Sequence, residues 1–178
     1  MFAEDTPWNV PWMDRVREPV ATLSASRPAE TIFTRFIPPR QASDASGTWR
    51  EYYKKWPMMT REVLGDERVD ILPELRALVP PALVFDKPIY SPWLDGRLHA
   101  FLRQHDVTTL VISGGETDVC VMAAVLGAVD LRYSIILLKD AICSTSVETH
   151  EASLEVLGGR FSTQIRISTA GEVLDWWR

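Results

Sequence analysis

The sequence predicts an α/β fold in three layers, with a mainly parallel sheet covered by helices on both faces. Short apolar segments such as 82–85, 108–113 and 133–138 alternate with segments that have the periodicity of helices. Strands that are apolar on both faces need cover on both sides, and this pattern is typical of parallel sheets. The 178 residues are expected to form a single domain, 1–178.

The predicted elements follow one another in a regular order. A helix is expected at 11–26, where apolar residues recur every three or four positions, and a strand at 31–37, which is rich in β-branched and aromatic residues. Residues 40–80 show no clear pattern beyond a helical turn. The later elements are strand 82–85, helix 94–105, strand 108–113, helix 117–131, strand 133–138, helix 148–157 ending at Gly158-Gly159, strand 161–167 and helix 172–178.

The composition disfavours several classes of function. A net charge of −5 without a basic segment argues against nucleic acid as a partner. No apolar segment approaches the ~20 residues of a membrane span, and the N-terminus does not resemble a signal peptide. Cys120 and Cys143 are therefore expected to be free thiols of a cytoplasmic protein.

Two residues stand out as candidates for chemistry. Cys120 lies at the predicted start of the helix after the Gly114-Gly115 turn, where unpaired N–H groups and the helix dipole favour a thiolate. A small residue filling a gap between helix and sheet is the alternative. Lys87 ends the preceding predicted strand, at the edge where such sheets bind ligands, and could pair with the thiolate. A solvated lysine is the alternative there.

Two segments carry a resemblance to a known family. Residues 110–121, Leu-Val-Ile-Ser-Gly-Gly-Glu-Thr-Asp-Val-Cys-Val, resemble the nucleophile segment of isochorismatase-like cysteine hydrolases, which include nicotinamidases and related amidases. Residues 86–93, Asp-Lys-Pro-Ile-Tyr-Ser-Pro-Trp, resemble the lysine segment of the same family. The resemblance is most specific over 83–157, and the order and spacing of the two motifs make Cys120 and Lys87 strong candidates.

The resemblance implies a Rossmann-like sheet of six strands and a Cys–Lys–Asp triad that needs no cofactor. Cys120 would attack the carbonyl carbon of a small amide or related carbonyl substrate, with Lys87 beside it. A cis peptide bond would join Gly115 and Glu116, and the backbone N–H groups of Glu116 and Cys120 would form an oxyanion hole.

Two aromatic residues follow Lys87 and are candidates for the substrate pocket. They are Tyr90 and Trp93, for which packing against the next helix is an equal alternative.

One element of the family has no counterpart in the sequence. The triad Asp ends the family's first, central strand, and no apolar segment precedes the helix at 11–26. Asp5 and Asp14 are the nearest acids, and neither follows an apolar segment. We expect Met1 to be an internal methionine of a longer protein. The alternative is a naturally shortened chain with weak or no turnover.

Further expectations concern ligands and partners. His99, His105 and His150 are scattered on predicted helices and have no metal-ligand spacing, so no metal is expected. The expected partners are a small-molecule substrate and further copies of the chain in a homodimer or larger homo-oligomer. A catalytically impaired pseudoenzyme that acts as a binding or assembly subunit is the main alternative function. A thiol redox protein is disfavoured because no Cys-x-x-Cys pattern is present.

Overall fold

The computed structural model describes residues 1–177 and has parallel strands with helices packed against them. The strands in this part of the chain are β1 (Ile32–Phe36), β2 (Leu83–Lys87), β3 (Thr109–Gly115), β4 (Ser134–Cys143) and β5 (Ile165–Ser168). The α-helices are α1 (Met13–Ser26), α2 (Thr48–Lys55), α3 (Arg61–Leu64), α4 (Asp66–Val69), α5 (Pro73–Arg76), α6 (Arg97–Gln104), α7 (Met122–Asp130), α8 (Val147–Arg160) and α9 (Ala170–Trp176).

Alternating side chains along β4 create the three layers. Ile135 and Leu137 lie on one face and belong to a cluster with residues of α6, α7 and α8. Ile136 and Leu138 lie on the opposite face, in a cluster with residues of α1 and α9. All four are buried. Helices therefore cover this strand on both faces, which confirms the predicted α/β architecture.

The strands form two parallel sheets. β1 pairs with β2, from Ile32 opposite Leu83 to Phe36 opposite Lys87, and β4 lies between β3 and β5. Within residues 1–177, β1 pairs with no strand other than β2, and β3 with none other than β4. Each of the two strands thus has an unpaired edge, which agrees with the expected sheet that lacks its first central strand.

The register of β3 and β4 places the Gly-Gly turn beside Cys143. Ile112 lies opposite Leu137, whereas Gly114 lies opposite Ile142 and Gly115 opposite Cys143, so β4 bulges between these pairs. A Cβ atom on Gly115 would lie 3.0 Å from the Sγ atom of Cys143. The close approach of the two strands therefore favours glycine at this position.

Residues 48–76 contain four short helices, although their sequence shows no clear pattern. The apolar residues Met59, Leu64 and Val69 of this region pack with Met1 and Phe36 in a cluster of their own. This cluster joins the N-terminal residues to the end of β1.

Several helices differ from the sequence-based prediction in where they begin or end. The helix expected over 117–131 starts as a π-helical turn, Thr117–Val121, and is α-helical only from Met122. Helix α8 continues through Gly158 instead of ending there, because this glycine provides close packing and no cap. A Cβ atom on Gly158 would lie 3.3 Å from Cγ1 of Ile167.

The last helix begins earlier than predicted because Thr169 caps it. Its Oγ1 accepts a hydrogen bond from the Glu172 N–H group at 3.2 Å, and the Glu172 carboxylate accepts one from the Thr169 N–H group at 3.0 Å. Residue 178, which the prediction included in this helix, lies outside the described residues. No helix within residues 1–177 has the length and apolar content of a membrane span.

Candidate active site

Cys120 lies in the π-helical turn after β3 and forms part of the wall of a cavity of about 140 Å³. The N–H groups of Val119 and Val121 both donate to the carbonyl oxygen of Glu116, at 3.2 and 2.9 Å, and these bonds fix the turn. The peptide bond between Gly115 and Glu116 is cis. The Glu116 N–H group is a hydrogen-bond donor to the Cys120 side chain, so this loop directs a backbone donor at the sulfur atom.

Lys87 lies beside the sulfur atom from the end of β2. Its side chain is buried, and its Nζ atom donates a hydrogen bond to the backbone carbonyl of Tyr90. The ammonium group also acts on Cys120 through its charge and as a hydrogen-bond partner. The fold thus brings together the two residues that the separate sequence motifs contain.

Burial and the Lys87 ammonium group have opposite effects on the pKa of the Cys120 thiol. Burial raises the pKa of Cys120 above its ordinary value, and Lys87 lowers it without reversing the rise. The charge of Glu116 contributes to the increase. Burial also lowers the pKa of Lys87, although Cys120 opposes this effect. The cost of desolvating the charge thus opposes the effect of the helix start, which was expected to favour the thiolate of Cys120.

Half of the residues that line the cavity are aromatic. The rings of Phe2 and Trp8 stack with centroids 6.3 Å apart, and the ring of Tyr52 lies 5.7 Å from that of Trp8. The aromatic residues of the wall are Phe2, Trp8, Phe36, Tyr52 and Tyr90. Of these, the sequence analysis identified Tyr90 alone. The only available signal for the others was the abundance of aromatic residues in the N-terminal third.

Trp93 does not line this cavity, which corrects the pocket role considered for it. Its Nε1–H group donates to the backbone carbonyl of Ala124 at 2.8 Å, and its ring stacks on that of Tyr133 with centroids 5.9 Å apart. A Cβ atom on Gly127 would lie 2.3 Å from the indole Cδ1 atom. The side chain therefore packs against α7, whereas the alternative interpretation proposed packing against the helix that follows it in sequence.

Two acidic residues lie close to Cys120 in the sequence: Glu116 precedes the π-helical turn and Asp118 lies within it. Glu116 lines the cavity, and its Oε1 atom accepts a hydrogen bond from the Thr145 hydroxyl at 2.6 Å. Burial raises the pKa of Glu116, and the nearby charge of Asp118 adds to this increase. Burial would also raise the pKa of Asp118, but hydrogen bonds from Ser144 and Thr149 outweigh it and lower that pKa.

Comparison with known proteins identifies the family. The model of the Isochorismatase domain matches residues 1–169. The chain belongs to the isochorismatase family. Its structure is similar to the crystal structure of a cysteine hydrolase from Pseudomonas syringae pv. phaseolicola 1448A, with a TM-score of 0.83 and 25% sequence identity over 98% of this chain and 85% of that chain.

Curated relatives match shorter segments. The ureidoacrylate amidohydrolase RutB of Pantoea ananatis (strain LMG 20103) is 32% identical over 57% of this chain and 38% of its own length. A protein named probable inactive nicotinamidase, from Arabidopsis thaliana, is 35% identical over 38% of this chain and 35% of its own length. The match therefore spans less than half of each of these two relatives.

The acid expected in an isochorismatase-family triad is not found at this site among residues 1–177. Asp5 and Asp14 are exposed and do not line the cavity. Glu116 is the only carboxylate in the cavity wall formed by the described residues.

The histidines of this isochorismatase-family chain have structural contacts. Nδ1 of His150 lies 2.9 Å from the Thr117 hydroxyl, and Nδ1 of His99 lies 2.9 Å from the Tyr133 hydroxyl. Within the described part of the chain, no three His, Cys, Asp or Glu side chains form a possible metal site. The absence of a metal stays a prediction.

Proposed function

We propose that the protein is a cysteine hydrolase that cleaves a small amide or related carbonyl compound with Cys120 as the nucleophile. The observation that supports this proposal most strongly is the position of Cys120 between the Lys87 ammonium and the Glu116 N–H group on a cavity wall. The cavity of about 140 Å³ is smaller than the roughly 300–1,000 Å³ of sites for drug-sized ligands, which favours a small substrate.

The reaction would proceed through a thioester. The Cys120 sulfur loses its proton and forms a bond to the carbonyl carbon, while a pair of electrons moves to the carbonyl oxygen. The Glu116 N–H group stabilises that oxyanion, and Gly115 gives the loop the space it needs beside β4. The C–N bond then breaks, the amine leaves with a proton, and water cleaves the thioester to the acid and the free thiol.

The role of Lys87 in this sequence is to stabilise the thiolate. Because burial raises the pKa of Cys120, the negative charge on sulfur is costly unless the ammonium lies beside it. A protonated lysine cannot also accept the thiol proton. The reaction therefore needs a separate base, which the resemblance implies to be an Asp at the end of the first strand.

The second candidate function is that of a catalytically impaired protein that binds a small molecule or serves as an assembly subunit. It is favoured by the raised pKa of Cys120 and by the lack of a triad Asp at the site within residues 1–177. The similarity to a relative that is named as inactive agrees with this alternative.

Ammonia release from a panel of small primary amides and ureas tests the two candidates. The first candidate predicts release by the unmodified protein, none by Cys120→Ala, and a transient adduct on Cys120 in the intact mass. The Cys143→Ala variant is the matched control and should retain activity, because Cys143 is buried away from the cavity wall. Binding of an amide without an adduct or release would favour the second candidate.

The remaining parts of the proposal concern the state of the protein in the cell. We propose a cytoplasmic homodimer or larger homo-oligomer that acts on its small-molecule substrate without a cofactor, a nucleic acid or a membrane. Light scattering of the purified protein measures the oligomeric state directly, and a monomer at all concentrations would contradict this part.

A further inference from the structure

The cavity beside Cys120 has an acidic wall and no basic one. Of its lining residues, Glu116 is the only one with a carboxylate, and no Lys, Arg or His of residues 1–177 lines the space. The Glu116 Oε1 atom accepts the Thr145 hydroxyl, whereas Oε2 accepts no hydrogen bond from the described residues. One carboxylate oxygen is therefore available to a ligand.

Two cationic side chains close to the cavity, those of Lys87 and Arg35, already have polar partners. Lys87 is held by the carbonyl of Tyr90 and by Cys120. Arg35, which the end of β1 carries, forms ion pairs with Asp70 at 2.5 Å and with Asp86 at 2.7 Å. Neither side chain lines the cavity, so neither is in direct contact with a carboxylate that enters it with the substrate.

We propose that Glu116 determines the charge selectivity of this site, which takes uncharged substrates with N–H donors, such as amides and ureas, and excludes substrates that carry a carboxylate. This proposal rests on the hydrolase function proposed above and specifies its substrate class. The free Oε2 atom accepts an N–H group of the substrate, and the aromatic wall packs against its apolar part.

The exclusion follows from elementary electrostatics. A carboxylate on the ligand loses water when it enters the small cavity and meets the like charge of Glu116 on the cavity wall, whereas the Lys87 ammonium does not line the cavity. A neutral amide of the same size loses much less solvation energy and gains an acceptor. Substitution of Glu116 by Gln keeps the shape of the side chain and a hydrogen-bond acceptor but removes the charge. It therefore separates the effect of the charge from the effects of shape and hydrogen bonding.

Alkylation of Cys120 by two small reagents measures this selectivity without any turnover. Iodoacetamide is neutral and iodoacetate is its anionic counterpart, and both react by the same step, in which the thiolate forms an S–C bond as iodide leaves. Rates are measured at about pH 9, above the ordinary pKa values of carboxyl and thiol groups. Peptide mass spectrometry assigns the label to Cys120, and glutathione provides the intrinsic ratio of the two rates.

The expected result is a preference for iodoacetamide over iodoacetate that exceeds the glutathione ratio at least threefold. In Glu116→Gln the ratio of the two rates should fall close to the glutathione ratio, because the charge is gone. Any change in the pKa of Cys120 affects both reagents equally and leaves this ratio unchanged. The matched control, Glu155→Gln, removes the same charge from an exposed position on α8 and should keep the preference.

Other outcomes would overturn the proposal. These are a wild-type ratio equal to that of glutathione, an equal loss of preference in the control, or no labelling of Cys120 by either reagent. The hydrolase proposal is tested separately. Charge-selective labelling of Cys120 without ammonia release from any amide would support the charge selectivity and contradict the proposed hydrolysis.

Discussion

The hydroxyl of Thr117 lies 2.9 Å from Nδ1 of His150 and donates to the carbonyl oxygen of Cys143 at 3.1 Å. Because the single hydroxyl proton is used in the bond to Cys143, the proton of the other bond belongs to Nδ1 of His150. Thr117, the first residue of the turn that contains Cys120, therefore forms hydrogen bonds to both β4 and α8. The network is buried, so its loss leaves unsatisfied polar groups.

Replacement of Thr117 by Val should therefore destabilise the protein. The change keeps the shape and removes the hydroxyl, and we expect a loss of about 1–3 kcal/mol in the free energy of unfolding, measured by urea denaturation. Thr163→Val, at an exposed position, is the matched control and should cost much less. Equal losses in the two variants would contradict the importance of the buried network.

Gly127→Ala tests the packing of Trp93 against α7. A Cβ atom at this position would lie 2.3 Å from Cδ1 and 2.9 Å from Nε1 of the indole ring, so the ring or the helix must move. We expect a decrease of about 1–3 kcal/mol in the free energy of unfolding. Gly159→Ala in α8 meets no atom within 4 Å and should be neutral or stabilising. A neutral effect at position 127 would show that Trp93 does not pack as described.

Glu116→Gln should make stability depend differently on pH. Burial raises the pKa of Glu116 from 4.5, so its ionisation is less favourable in the folded state than in the unfolded state. Its contribution to stability is fully present below about pH 4.5 and is lost as the pH rises through the folded-state pKa. The variant should therefore gain stability relative to the unmodified protein between about pH 4 and pH 7, as urea midpoints would measure.

An exposed glutamate provides a control of opposite sign. The pKa of Glu148 is lowered by its own backbone N–H group and by Ser146, so Glu148→Gln should lose relative stability as the pH rises to about 4.5 and show no further change above it. The same pH dependence in both variants would contradict the assignment to burial of Glu116.

The sequence predicts the central part of the site well, because that part depends on local order along the chain. A buried strand, a Gly-Gly turn and Cys120 are close in sequence, and Lys87 ends a strand, so the parallel fold determines where both lie. The aromatic wall could not be predicted in this way. Trp8 and Tyr52 come from segments that are distant in sequence, and the periodicity of apolar residues does not predict such contacts.

The sign of the pKa shift of Cys120 could not be predicted either. A helix start favours the thiolate, but the extent of burial depends on the whole fold and decides the direction. The π-helical form of the turn from Thr117 to Val121 likewise has no signature in the apolar periodicity, which is the same for both kinds of helix.

The central claim is that Lys87 stabilises the thiolate of a buried Cys120, and the pH dependence of iodoacetamide labelling tests it most directly. For the unmodified protein we predict an inflection above the ~8.5 of a free cysteine, because burial raises the pKa. Lys87→Met should move the inflection further up, whereas Lys139→Met, at an exposed position, should leave it unchanged. An inflection that is the same with and without Lys87 would contradict the account.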